Sequence, residues 1–256
     1  MMKSNISVKV PEKVTVIGVP VSAVSLETAI EYVAQEQEQL RGEYVCAANV
    51  HTTVMAYEDP DYMTVQSSAV LNLPDGMPLA VEGRKKTSYP VQKTTGIRFM
   101  RSIFLDNRFA GKRHFFYGTT AEDLEKMIPE VQRDYPNLQI CGWESSVFRE
   151  LSDEEVDALA ERINRVQADF LWVALGAPRQ EKLMYRLRGK VNCLMTGVGG
   201  VFHILSGAIP DAPLWMQNAG LEWFFRLSKD PGRLLKRYLV TNTKFILLLL
   251  REKCHV

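Results

Sequence analysis

Short β-rich apolar runs alternate along the chain with longer stretches of helical period, the pattern of strands joined by crossover helices. The runs predict strands over 14–18, 44–48, 69–73, 113–117, 138–142, 170–175 and 192–197. After the first of them, SLETAIEYVAQEQEQL (25–40) has Ser25 and Thr28 near its start and Ala29, Ile30, Val33 and Leu40 for one face, which predicts a surface helix. SDEEVDALAERINRV (152–166) opens on the clearest capping box in the chain, with Glu155 three residues after Ser152. Together these elements predict an α/β fold.

Several runs end in polar turns, and those turns carry the candidate chemistry. The stretch LWVALGAPRQEKL breaks at Gly176, turns through Pro178 and enters a helix bearing Arg179, Gln180 and Glu181. Open parallel sheets hold their ligands at such carboxyl ends. Leu71-Asn72-Leu73-Pro74-Asp75-Gly76 repeats the arrangement with an acid and a glycine before a new helix, so two turns point to one shared crevice. In RHFFYGTTAEDLEKM (113–127), Gly118 precedes Thr119 or Thr120 as a helix cap. A helix start there offers a phosphate unpaired N–H groups and a favourable dipole. Neither GxGxxG nor GxxxxGK[ST] occurs, so use of NAD or ATP is unsupported.

Length and composition narrow the class. At 256 residues and 46% hydrophobic, the chain suffices for one large α/β domain or a domain with an appendage, and a disordered reading is excluded. Cys46, Cys141, Cys193 and Cys254 are far apart and read as reduced and structural. MMKSNISVKVPEKVTV has no apolar run suited to a signal peptide, which predicts a cytoplasmic protein. SGAIPDAP (206–213) interrupts the pattern and predicts a boundary between a core, 1–208, and an appendage, 209–256. From Arg226 onward eight bases face two acids, a net +6 against −5 for the residues before it. With the six apolar residues Phe245–Leu250, that is the composition of a membrane-surface element, because spanning a bilayer takes about 20.

Asn49, LPDGMPLA, TGIRF, VALGAPRQEK, GVGGVFHILSG and APLWMQNAGLEWFFRLSKDPGR, in this order over nearly the whole chain, closely resemble the WecG/TagA/CpsF glycosyltransferases. These are bacterial enzymes that transfer a sugar from a UDP-sugar to a lipid-linked saccharide. The resemblance implies a Rossmann-like, mainly parallel sheet flanked by helices, with a C-terminal helical appendage that meets the membrane and helps complete the active site. The implied activity is inverting transfer of a hexose, of the N-acetylmannosamine type, to an undecaprenyl-diphosphate-linked sugar in cell-wall or surface polysaccharide synthesis. It also implies peripheral attachment to the inner face of the plasma membrane, with no cofactor and no nucleic-acid partner. APLWMQNAG and the apolar tail leave surfaces that copies of the chain could share in a homo-oligomer.

Residue by residue, the resemblance assigns the general base to Asp75 and sugar contacts to Asn49 and Gln180. Arg226 and Arg233, with Lys236 or Arg237 at a third place, fall on the arginines that neutralise the UDP diphosphate. Lys93, Arg179, Gly118, Gly176, Gly199, Gly200 and His203 complete the expected substrate-binding set. The chain departs from the family pattern at four places. It has Ala47 where many members carry threonine, Lys93 and Arg98 around the TG pair in place of arginine and aspartate, and His203 in place of a frequent aspartate. These departures leave the donor sugar open.

Inverting transfer needs a base for the acceptor hydroxyl and positive charge for the departing UDP. Asp75 follows Leu71 and Leu73, so partial burial would raise its pKa toward the working range. By spacing alone, Pro-Asp-Gly reads first as an ordinary turn whose acid bonds the local backbone; the family match favours the base. Asn49 is equally an N-cap for HTTVMAYE, and without the family match Arg179 and Gln180 read by default as capping and solvating the helix after Pro178. No DxD triplet of the metal-dependent kind is read, and His51, His114, His203 and His255 are scattered, so arginines rather than a metal are expected to hold the diphosphate. Arg226, Arg233 and Arg237 share one helical face if the helix continues past Pro231. Two alternatives stand beside the leading reading: the same machinery using UDP-glucose for an exopolysaccharide, and a non-catalytic nucleotide-sugar or lipid binder.

Overall fold

The computed structural model describes residues 10–254, with the side chains of Asn218 and Arg233 set aside. Residues 1–9, expected above to hold no signal run, and His255 lie outside the described residues. In chain order the elements are β1 (Lys13–Val16), β2 (Val19–Ser22), α1 (Leu26–Gln35), β3 (Tyr44–Ala48), α2 (Val50–Glu58), α3 (Pro60–Ser68), β4 (Leu71–Pro74) and α4 (Met77–Arg84). There follow α5 (Gly96–Leu105), β5 (Arg113–Gly118), α6 (Ala121–Asp134), β6 (Gln139–Glu144), α7 (Asp153–Arg165), β7 (Phe170–Ala174), α8 (Arg179–Leu187) and β8 (Leu194–Gly197). The chain closes with α9 (Val201–Leu205), α10 (Leu214–Asn218), α11 (Glu222–Lys229) and α12 (Pro231–Cys254).

Six strands form one parallel sheet in the order β4-β3-β8-β7-β5-β6. Both faces are covered, which is why the strands read as continuous apolar runs rather than as alternation. Phe116 and Trp172 point into the layer made with α1, α5 and α6. Their strand neighbours Tyr117, Leu171 and Val173 point the other way, toward α7 and α8. Helix starts follow local chemistry. Ser25 and Ser152 each accept from a backbone N–H in reciprocal capping boxes, each such cap contributing about 1 kcal/mol.

Two expectations need correction. The strand read over 14–18 ends at Val16, because Ile17 and Gly18 take positive φ values of 46° and 76°. That two-residue turn returns the chain as β2, antiparallel to β1 and outside the main sheet. Pro20 disguised β2 in the sequence, yet a two-stranded ribbon leaves an edge where a missing N–H costs nothing. Nor does one helix run past Pro231. The chain breaks at Asp230, and Pro231 opens α12, the position where a ring without an N–H is tolerated.

The tail folds back on the core. Phe245 of α12 is 4% exposed among Val14, Val16, Ile17, Val21, Ala48, Val54 and Leu79. Lys86 pairs with Glu252 at 2.8 Å, and Lys244 with Glu58 at 2.5 Å. The Ile17 N–H donates to Glu252 Oε2 at 3.4 Å. Part of the apolar stretch Phe245–Leu250 therefore serves the core. Ile246, Leu247 and Leu250 remain exposed. No helix among the described residues is long and apolar enough to cross a membrane.

Candidate active site

Parallel strands send their carboxyl ends to one edge, and there the loops after β3, β4, β5, β7 and β8 meet. Asp75 follows β4; its N–H donates to Ala48 O at 2.7 Å, which ties the turn to the end of β3. Asn49, the next residue on that side, caps α2 by accepting from the N–H groups of His51 at 3.0 Å and Thr52 at 3.2 Å. The same side chain hydrogen-bonds the Asp75 carboxylate. Asn49 thus acts as cap and as acid contact together.

Asp75 is pushed up to about 6. Burial is the largest cause; Glu222 pushes in the same direction, while Arg226, Lys93 and the Asn49 hydrogen bond pull the other way. Lys93, with 7% of its side chain exposed, pairs with Glu222 at 2.5 Å and donates to the Gln217 carbonyl at 2.8 Å. Two groups of the tail, Glu222 and Arg226, therefore lie close enough to act on the charge of Asp75, and Lys93 ties Gln217 and Glu222 to the same place. Sequence reasoning gave Glu222 no role. The signal was available: Glu222 and Arg226 are four residues apart in LEWFFRL and share a helix face.

Of the remaining tail bases, Arg237 comes from α12 and lies close enough to depress His51, whose imidazole is also lowered by burial, the larger cause. Arg226 and Arg237 thus approach from two helices, held together by edge contacts such as Trp223 with Tyr238, ring centroids 6.1 Å apart. Lys236 is exposed on α12. The Arg233 side chain lies outside the described residues.

Gln180 is 5% exposed, and its side chain is engaged inside the protein. Its Oε1 accepts from Gly199 N at 2.9 Å and Gly176 N at 3.2 Å, joining the loops after β8 and β7. Gly200 is the exposed end of that glycine turn. Arg179 points away from this cluster, donating to the carbonyls of Phe148 at 3.0 Å and Leu175 at 3.4 Å.

Gly118 has φ 130°, and a Cβ there would fall 2.5 Å from Ala174 O, so only glycine lets β5 pass β7 this closely. The phosphate seat read after it is taken by a carboxylate. Asp123 accepts from the hydroxyls of Thr119 at 2.7 Å and Thr120 at 2.8 Å, which hold its carboxyl below the usual range. His203 Nδ1 lies 3.7 Å from the same carboxylate. A phosphate at the start of α6 would meet negative charge.

Among the described residues no three His, Cys, Asp or Glu side chains converge as a metal site would require. Asp59-Pro60-Asp61 has the D-x-D spelling, but the Asp59 carboxylate caps α3 by accepting from the N–H groups of Asp61 at 3.0 Å and Tyr62 at 3.1 Å.

The chain is 29% identical over 241 residues to an N-acetylglucosaminyldiphosphoundecaprenol N-acetyl-beta-D-mannosaminyltransferase of Bacillus subtilis (strain 168), covering 93% of this chain and 91% of the relative. It is 28% identical over 218 residues to the protein of that name from Bacillus spizizenii, covering 84% and 82%. The model of the glycosyl transferase WecG/TagA/CpsF family matches residues 14–256. An acid raised by burial at a strand end, with Arg226 of the tail beside it, stands within a chain that matches this family almost throughout: the protein belongs to the WecG/TagA/CpsF glycosyltransferases.

Proposed function

We propose that this protein transfers an N-acetylhexosamine, of the N-acetylmannosamine type, from a UDP-sugar to an N-acetylglucosaminyl-diphospho-undecaprenol acceptor, with inversion at the anomeric carbon. The observation that carries the reading is a buried Asp75 with Arg226 of the tail close enough to act on its charge; the names of the two bacillary relatives supply the acceptor and the transferred sugar. Asp75, raised to about 6, is mostly ionised at neutral pH yet more basic than an ordinary carboxylate. It takes the proton of the acceptor hydroxyl as that oxygen attacks the anomeric carbon. Arg226 and Arg237 hold the departing diphosphate, with Arg233 and Lys236 on the same helix as Arg237.

Diphosphate bound at Arg226 would divert part of the positive field that keeps the Asp75 carboxyl down. Donor binding therefore raises the basicity of Asp75 at the moment it is needed. Residues 209–256 act as an appendage that closes the site and rests on the inner face of the membrane. Leu239, Ile246 and Leu250 enter the interface, and Lys236 and Arg251 face anionic headgroups.

The deciding experiment incubates purified protein with the lipid-diphosphate acceptor and a donor panel including UDP-N-acetylmannosamine and UDP-glucose. The proposal expects product with the first. Product with UDP-glucose alone would replace the donor; product with none would remove the catalytic reading.

A further inference from the structure

Beneath the glycine loops runs a buried polar chain whose members have no evident part in the chemistry. Gln66 Nε2 donates to Tyr62 OH at 2.9 Å. The Tyr62 side chain hydrogen-bonds Glu181, and Gln180 Nε2 donates to Glu181 Oε1 at 2.8 Å. All four residues are buried, Glu181 completely, and its Oε2 has no partner. An acid at such depth with one oxygen unpaired and no counter-charge among its named partners is costly, which calls for a role beyond filling space.

The amide of Gln180 has two possible faces. As built, its oxygen receives two backbone N–H groups and its nitrogen faces Glu181. Reversed, the amide would aim N–H at the N–H groups of both glycines. An acceptor at Glu181 forbids the reversal, because it needs a donor from Gln180. Gly197 fits the same arrangement, since a Cβ there would come within 2.9 Å of Gln180 Nε2.

We propose that Glu181 is a positioning residue: its carboxylate orients the Gln180 amide, which in turn fixes the backbone of Gly176 and Gly199 at the edge where the donor sugar binds. The assignment rests on the glycosyl-transfer reading for its kinetic consequence but not for its structural one.

Two readouts separate them. In Glu181→Met the Gln180 amide nitrogen loses its acceptor and the hold on its orientation, so peptides containing Gly176 and Gly199 should exchange their amide hydrogens about tenfold faster, the loss expected for one buried hydrogen bond. Donor KM should rise about tenfold while kcat stays within about twofold. The exchanged pair Gln180→Glu with Glu181→Gln puts the carboxylate at position 180, where it accepts from both glycines and from the amide now at position 181, and should restore both measurements. Tyr62→Phe removes one donor to Glu181 and should move exchange the same way by less. Unchanged exchange in Glu181→Met, or an exchanged pair no better than that single variant, would overturn the proposal. Wild-type protein inactive with every donor would defeat the transferase reading and leave the exchange result to decide this one.

Discussion

Lys93 Nζ lies 2.5 Å from Glu222 Oε2, an ion pair between the loop before α5 and the first turn of α11. It joins a largely covered cation of that loop to an acid of the tail, and both groups act on the charge of Asp75.

Glu222→Gln should therefore loosen the tail and change the acid at once. Leaving Lys93 at 7% exposure without its counter-charge should cost about 2 kcal/mol in denaturant unfolding, less than a fully buried pair because Glu222 retains 19% exposure. Because Glu222 helps hold the Asp75 pKa up, its loss should also move the acid limb of the activity profile to lower pH. A variant with unaltered stability and an unaltered limb would refute the assigned contact.

The pH dependence has a defined sign. Asp75 must be ionised to act, so kcat/KM should rise with pH and reach half its plateau near 6. In the donor complex, with Arg226 turned to the diphosphate, the corresponding limb of kcat should lie at higher pH. Steady-state profiles from pH 5 to 8 measure both.

Asp75→Asn should trade activity for stability. Turnover should fall about 10²–10⁴-fold while UDP affinity is kept or improved. An acid whose folded pKa stands above its usual 3.8 binds its proton more tightly in the native state, so stability declines as pH rises from about 4 to 6 and stays lowered above that. The asparagine variant removes this decline and should be roughly 1–3 kcal/mol more stable at pH 8. Equal stability at pH 8, measured by urea unfolding, would show that Asp75 is not under that strain.

The two faces of α12 should separate by mutation. Phe245→Ala opens a cavity in the cluster shared with Val14, Val16 and Leu79 and should cost about 3 kcal/mol. Leu239→Gln with Ile246→Gln, at 62% and 56% exposure, should leave stability within about 0.5 kcal/mol and weaken sedimentation with anionic vesicles. Vesicle binding unaffected by the double change would place the membrane contact elsewhere.

What the sequence made legible was local. The helix starts at Ser25 and Ser152 are written in the capping residues, and the strands β3, β5 and β7 in uninterrupted apolar runs. Asp75 stood out as the acid that ends an apolar run, and Asn49 through the family resemblance alone. The hairpin did not, since Pro20 hides a strand and Ile17 gives no sign of a positive φ. The break before Pro231 was posed as a condition, and the periodicity of flanking residues could not decide it. Least visible were the partners: nothing local tells that Glu222 meets Lys93, or that Gln180 spends its amide on two glycines, because those contacts exist only after the sheet has gathered its loop ends.

Ile17 and Glu252, 235 positions apart, touch, and Phe245 sits among side chains from the first two strands. Glu222 and Arg226, which act on the charge of Asp75, follow every strand of the sheet along the chain, so synthesis delivers the scaffold before the groups that tune its acid.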